Sequence, residues 1–106
     1  MIIKYDSAKV SHPVYGVQRR VLAYNEKIML SEHILEKGAV LPEHNHPHEQ
    51  LVYLLKGEIT INLGEERLKM GSGDSLVIPS GVSHKVTAIT KSVALDIFTP
   101  ARQDYL

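Results

Sequence analysis

The chain has 106 residues, with 12 basic and 12 acidic side chains, no net formal charge and no basic run. That balance argues against nucleic acid or an anionic membrane surface as the main partner, because both are met with clustered positive charge. The length suits one compact domain, 1–106, with one core. The absence of cysteine removes disulfides and thiolate chemistry. No apolar stretch approaches membrane-spanning length and the opening MIIKYDSAKV has no secretory apolar core, so a cytoplasmic protein is expected.

Short runs bounded by turn signals follow one another along the chain. Residues 17–24 precede Asn25-Glu26, 27–36 precede Lys37-Gly38, and 50–56 precede Gly57. Runs over 59–63, 67–70 and 76–78 end at Gly64-Glu65, at G-S-G-D and at P-S-G, and 85–89 and 93–98 close the series. Many short strands at regular spacing predict an all-β barrel or sandwich, and no ten-residue segment carries helical periodicity. In S-E-H-I-L-E, Glu32 and Glu36 mark the solvent face, which turns Ser31, His33 and Leu35 inward. His33 is then either a satisfied interior histidine or a wall of a binding pocket. In QLVYLLK, Val52 and Leu54 share one face, while Leu51, Tyr53 and Leu55 share the other. A strand apolar on both faces needs cover on both: with a barrel interior on one side, the other calls for a second layer or for a second subunit, as in a homodimer.

Two segments carry metal-ligand chemistry. His44 and His46 form an H-x-H pair, Gln50 follows four residues later, and His84 comes after P-S-G-V-S. In an extended strand, residues two apart share a face at roughly 6.6 Å. Imidazoles at that separation can converge on one ion at about 2 Å from each nitrogen. A straight strand would carry Gln50 roughly 20 Å from His44, so the chain must bend, and Pro47 permits it. Strand parity turns Glu49 away from Gln50's face. His48 reads as a turn residue that orients its neighbours, and His12 as a surface residue.

These segments resemble the two motifs of the cupin superfamily. The first, G-x5-H-x-H-x3-E-x6-G, falls on Gly38, His44, His46, Gln50 and Gly57; the second, G-x5-P-x-G-x2-H-x3-N, falls on Gly73, Pro79, Gly81, His84 and Ala88. Gln50 stands for the usual glutamate and Ala88 for the usual asparagine. The resemblance implies a single-domain jelly-roll β-barrel (a double-stranded β-helix) holding one divalent transition metal ion per chain. Its ligands would be His44, His46, Gln50 and His84. Nitrogen and oxygen donors suit Zn, Ni, Fe, Mn, Co or Cu alike. Neutral ligands leave the full charge on the ion, which favours an anionic, chelating ligand.

The tail S-V-A-L-D-I-F-T-P-A-R-Q-D-Y-L is the other informative stretch. Asp96 lies between Leu95 and Ile97, and an isolated carboxylate there needs a partner or a task. Small Ser92 and Ala94 on its face leave room for a ligand. Two readings stand: an Asp96–Arg102 structural ion pair, or a pocket acid/base at Asp96 with an anion clamp at Arg102. Together with H-P-H-E-Q, the tail resembles the small cupins of pectin and alginate breakdown, the KdgF type, including the opening G-V-x-R-R-V-L at residues 16–22. That resemblance implies ring opening of 4,5-unsaturated uronate monosaccharides to linear 5-keto-4-deoxyuronates. Asp96, Phe98 and Arg102 would act beside the metal, with Phe98, Arg102 and His33 binding the small anionic sugar. Two other readings keep the same barrel: a metal-dependent dioxygenase, and a non-catalytic metal- or sugar-binding module.

Overall fold

The computed structural model describes residues 2–106, and antiparallel strands make up nearly all of their regular structure. In chain order these are β1 (Lys9–Val14), β2 (Val17–Tyr24), β3 (Met29–Leu35), β4 (Val40–His44) and β5 (Glu49–Lys56). There follow β6 (Glu58–Leu63), β7 (Glu66–Gly71), β8 (Ser75–Ile78), β9 (His84–Ala88) and β10 (Ser92–Thr99). Single 3-10 turns lie at Tyr5–Ser7 and Gln103–Tyr105. Among the described residues no helix is long and apolar enough to cross a membrane.

Six strands form one sheet in the order β1-β2-β3-β10-β5-β8, and four form the other as β4-β9-β6-β7. Every strand pairing is antiparallel, with many contacts between strands distant in sequence, as the expected jelly roll requires. The final strand β10 is central: it pairs with β3 on one side and β5 on the other. Residues from opposite ends of the chain therefore share one inward face.

Alternation decides which residues reach that face. Along β3, Met29, Ser31, His33 and Leu35 are buried while the residues between them are only partly covered. Along β5, Gln50, Val52 and Leu54 point inward. The largest apolar cluster draws Val52, Leu54, Ile78 and Ala94 from the six-stranded sheet and Ile59, Ile61 and Met70 from the other. Full burial of a side chain such as Leu54 or Ile61 contributes about 1.5–3 kcal/mol, so this cluster fastens the two sheets face to face. On the outer side of β5, Leu51, Tyr53 and Leu55 are 40%, 41% and 52% exposed, with Val77 of β8 beside them at 53%.

The eight strands expected from sequence are all present, with ends moved by one or two residues. The two the sequence hid are β1 and β4, which carry Pro13 and Pro42 and lie at sheet edges. Edge strands tolerate proline because one side of the backbone has no ladder partner, and their solvent-facing residues show little alternation. Gly57, at the β5–β6 turn, has φ 98°, and a Cβ there would lie 2.3 Å from Ser92 Oγ and 2.5 Å from the Lys91 carbonyl. Only glycine fits.

Candidate metal centre and adjoining cavity

Three histidines converge at one end of the space between the sheets. His44 is the last residue of β4 and lies in register opposite His84, the first residue of β9. Their ring centroids are 4.2 Å apart. His46 sits just beyond β4, not within it as a straight H-x-H strand would have it, on the 45–48 link that contains Pro47. Its ring lies 5.0 Å from that of His84 and 5.7 Å from that of His44. One nitrogen from each ring falls within 4.8 Å of the others, so the three could hold a metal ion. The second motif's turn pins the link: Gly81 N–H donates to the His46 carbonyl at 2.9 Å, and the Ser80 hydroxyl donates to the Pro47 carbonyl at 2.6 Å.

Hydrogen bonds fix which nitrogen each histidine presents. The Nδ1 atoms of His44, His46 and His84 face the carbonyls of Pro42, His48 and Val82 at 2.9, 3.0 and 2.9 Å. A carbonyl can only accept, so each Nδ1 carries the proton and each Nε2 keeps its lone pair for a metal. Burial is the main cause that lowers the pKa of His46 and of His84, with the nearby Arg102 charge adding to it. Both rings are thus kept in the neutral, ligating form. The Nε2 of His84 is buried with no hydrogen-bond partner among the described residues, which suits an atom that serves as a metal ligand.

Gln50 completes the fit. Its Nε2 donates to Asp96 Oδ1 at 2.9 Å, which turns its Oε1 toward His46 Nε2 at 3.0 Å. Reversing the amide would set two oxygens against each other at Asp96, so this orientation is determined. With His46 protonated at Nδ1, an amide lone pair then faces an imidazole lone pair. Two acceptors at that distance repel unless a cation lies between or beside them. The donor set of three imidazoles and one amide oxygen therefore fits a divalent transition metal.

Asp96 lies next to this centre, 4% exposed on the inner face of β10. Its Oδ2 faces His33 Nδ1 at 2.6 Å, while Arg19 Nε, which can only donate, reaches His33 Nε2 at 3.1 Å. His33 is thereby fixed as the Nδ1–H tautomer and donates to Asp96. Both Asp96 oxygens accept, one from His33 on the β3 side and one from Gln50 on the β5 side. Arg19, His33, Gln50, Asp96 and Tyr105 line one cavity together with His44 and His84.

Phe98, two residues further along β10, is 1% exposed and packs edge-on against His46 at 5.8 Å and Tyr105 at 5.5 Å. Arg102 lies over the Phe98 and Tyr105 rings at 5.2 and 4.4 Å. The Asp96–Arg102 ion pair does not form. Arg102 is instead held by Asp104, Nε to Oδ1 at 3.0 Å and Nη2 to Oδ2 at 2.8 Å, because the 3-10 turn brings Asp104 back onto it. Its Nη1 is buried and has no partner among the described residues. Arg102 also holds the Asp104 carboxyl below the usual range through that bond. His48 lies on the link and offers its carbonyl to His46, and His12 is exposed.

Sequence reasoning missed Arg19 and Tyr105. Arg19 carries the same signal as Asp96, a charge between two inward residues, here Val17 and Val21 of β2. Tyr105 belongs to the tail that carries the resemblance to the KdgF-type cupins, but without periodicity nothing there marks it as an inward residue of the site.

A two-sheet antiparallel barrel with His44, His46 and His84 at one end defines a cupin, and the chain belongs to the cupin family: residues 31–98 match the cupin domain. Its likeness extends further than the domain. Pectin degradation protein KdgF of Dickeya dadantii is 27% identical over 93 residues, spanning 86% of this chain and 84% of that protein. The solved structure of KdgF from Halomonas sp. superposes with a TM-score of 0.92 at 27% identity, covering 100% of this chain and 98% of the other. An RmlC-like cupin from Shewanella frigidimarina gives 0.93 at 28% identity, with 99% and 95% covered.

Proposed function

We propose that this cupin converts 4,5-unsaturated uronate monosaccharides to linear 5-keto-4-deoxyuronates. The observation that carries the proposal is Asp96: a buried carboxylate, oriented at both oxygens, adjoining a centre built from neutral histidines. The similarity to two KdgF proteins, one of them described as a pectin degradation protein, supports the substrate class.

His44, His46, His84 and Gln50 would hold one divalent ion, which would supply positive charge to the substrate's carboxylate and to the oxygen that becomes enolate. Asp96 accepts the proton of the anomeric hydroxyl. The C1–O bond then becomes a carbonyl, the bond from C1 to the ring oxygen breaks, and that oxygen stays on C5 as an enolate. Asp96 returns the proton to C4, leaving a ketone at C5 and closing the balance without any co-reactant. Two donors hold Asp96 in one rotamer during both transfers. Phe98 and Arg102 do not line the cavity itself: Phe98 packs behind His46, and Arg102, held by Asp104, adds positive charge close to the centre. The same reading takes the protein to be a homodimer closed over the outer faces of β5 and β8.

The test follows the ultraviolet absorbance of a 4,5-unsaturated monouronate with and without dioxygen. Protein-dependent loss of absorbance, equal in both, is expected. An inert protein would defeat the proposal, and activity confined to aerobic samples would favour a dioxygenase instead.

A further inference from the structure

Arg19 is a cation inside the barrel without an anion. Its Nε donates to His33, and its guanidinium carbon lies 3.5 Å from the centre of the Tyr105 ring. No carboxylate oxygen pairs with it within 4.0 Å among the described residues, where Arg20, Lys91 and Arg102 all have such partners. Neither Nη has an accepting partner there, and the side chain lines the cavity that contains Asp96, His44 and His84. Burial lowers its pKa and the Arg102 charge adds to this, while Tyr105, Asp104 and Asp96 act against it from beyond ion-pair distance. A half-buried guanidinium held at one edge and over one face, with the other edge free toward a cavity, has the form of an anion receptor. Arg102 differs, since Asp104 already occupies its fork.

From this arrangement we infer that Arg19 is the specificity-determining anchor for the carboxylate of a small acidic ligand in the cavity. The assignment rests on the uronate reading for the ligand's sugar character, but its core, carboxylate recognition by Arg19, does not depend on turnover. Asp96 and His33 are fixed by their own bonds, so a carboxylate drawn to Arg19 is set beside the proton carrier. Arg19 is in this sense a binding residue, and its bond to His33 is a separate, positioning contact.

Titration calorimetry of the metal-loaded protein with D-galacturonate and D-galactose tests the assignment, using wild type, Arg19→Gln and Arg19→Lys checked for folding by circular dichroism. Galacturonate should bind wild type at least about tenfold more tightly than galactose. Arg19→Gln keeps an N–H for His33 but removes the charge, and should weaken galacturonate by roughly 10–100-fold while galactose is unchanged. Arg19→Lys should retain part of the preference. Wild-type affinity for galacturonate in Arg19→Gln would overturn the inference, as would a wild type without preference for the acid. So would a loss in Arg19→Lys as complete as in Arg19→Gln, because disturbance of His33 would then be responsible. Arg19-dependent binding in a protein inert on unsaturated uronates would defeat the ring-opening reading and leave this inference standing; turnover with Arg19-independent binding would do the reverse.

Discussion

At Gln50 one amide meets two demands, since its N–H binds Asp96 at 2.9 Å while its oxygen faces His46 at 3.0 Å. A glutamate of the same shape satisfies only the second, and sets a carboxylate against the Asp96 carboxylate at hydrogen-bond distance. Gln50→Glu should therefore retain metal at wild-type content or above, yet lose roughly tenfold or more in kcat/KM on an unsaturated uronate. Metal analysis and kinetics check both halves, and tighter uronate binding in the variant would refute the charge argument. The histidines give a second prediction. Burial holds His46 and His84 below the ordinary 6.5, so as pH falls the unfolded chain takes up protons before the folded chain does. The folded state's preference for neutral rings is fully present above that value and is lost as pH drops toward the lowered folded pKa. Denaturation midpoints of the metal-free protein should fall below about pH 6.5, and the fall should shrink in a His46→Asn, His84→Asn double variant. A midpoint as pH-dependent in the double variant as in the parent would contradict this. The sequence exposed Asp96 because a charge amid alternating apolar residues stands out. It could not expose the bonds to His33 and Gln50, which join strands separated by 63 and 46 positions.

Strands and turns are where the sequence was most legible, because period-2 alternation and glycine-bearing turns are local signals. Edge strands β1 and β4 escaped for the converse reason: each carries a proline and faces solvent along most of its length. The turn after β5 shows how tightly a motif glycine can be specified. A Cβ at Gly57 meets Ser92 Oγ and the Lys91 carbonyl at distances no side chain tolerates, at a backbone angle that favours glycine alone. Gly57→Ala should lower stability by more than about 1 kcal/mol, read as a reduced urea midpoint at unchanged slope. An unchanged midpoint would mean that the β5–β6 turn and the start of β10 can separate without cost. The second motif's turn acts differently, since Ser80 and Gly81 hold the link that carries His46. That coupling explains in physical terms why two segments so far apart in the chain work as one site.

Across the whole molecule, the six-stranded sheet supplies Arg19, His33, Gln50, Asp96 and Phe98, and the four-stranded sheet supplies His44 and His84. The site therefore exists only when both sheets are packed, and the apolar cluster between them is a condition for chemistry as well as for stability. The outer face of β5 and β8 leaves Leu51, Tyr53, Leu55 and Val77 between 40% and 53% exposed, an apolar patch suited to a second copy of the chain. Sedimentation should find a dimer, and Leu51→Lys with Val77→Lys should shift it to monomer while each chain keeps its metal. A wild type that sediments as a monomer would leave that face without its proposed partner. The central claim is that Asp96 moves the proton, and the most direct measurement compares wild type with Asp96→Asn on a 4,5-unsaturated monouronate, with metal content determined in both. The account predicts turnover slowed by roughly 10²–10⁴-fold with metal and fold retained. An Asp96→Asn protein equally folded, equally metallated and equally active would contradict it.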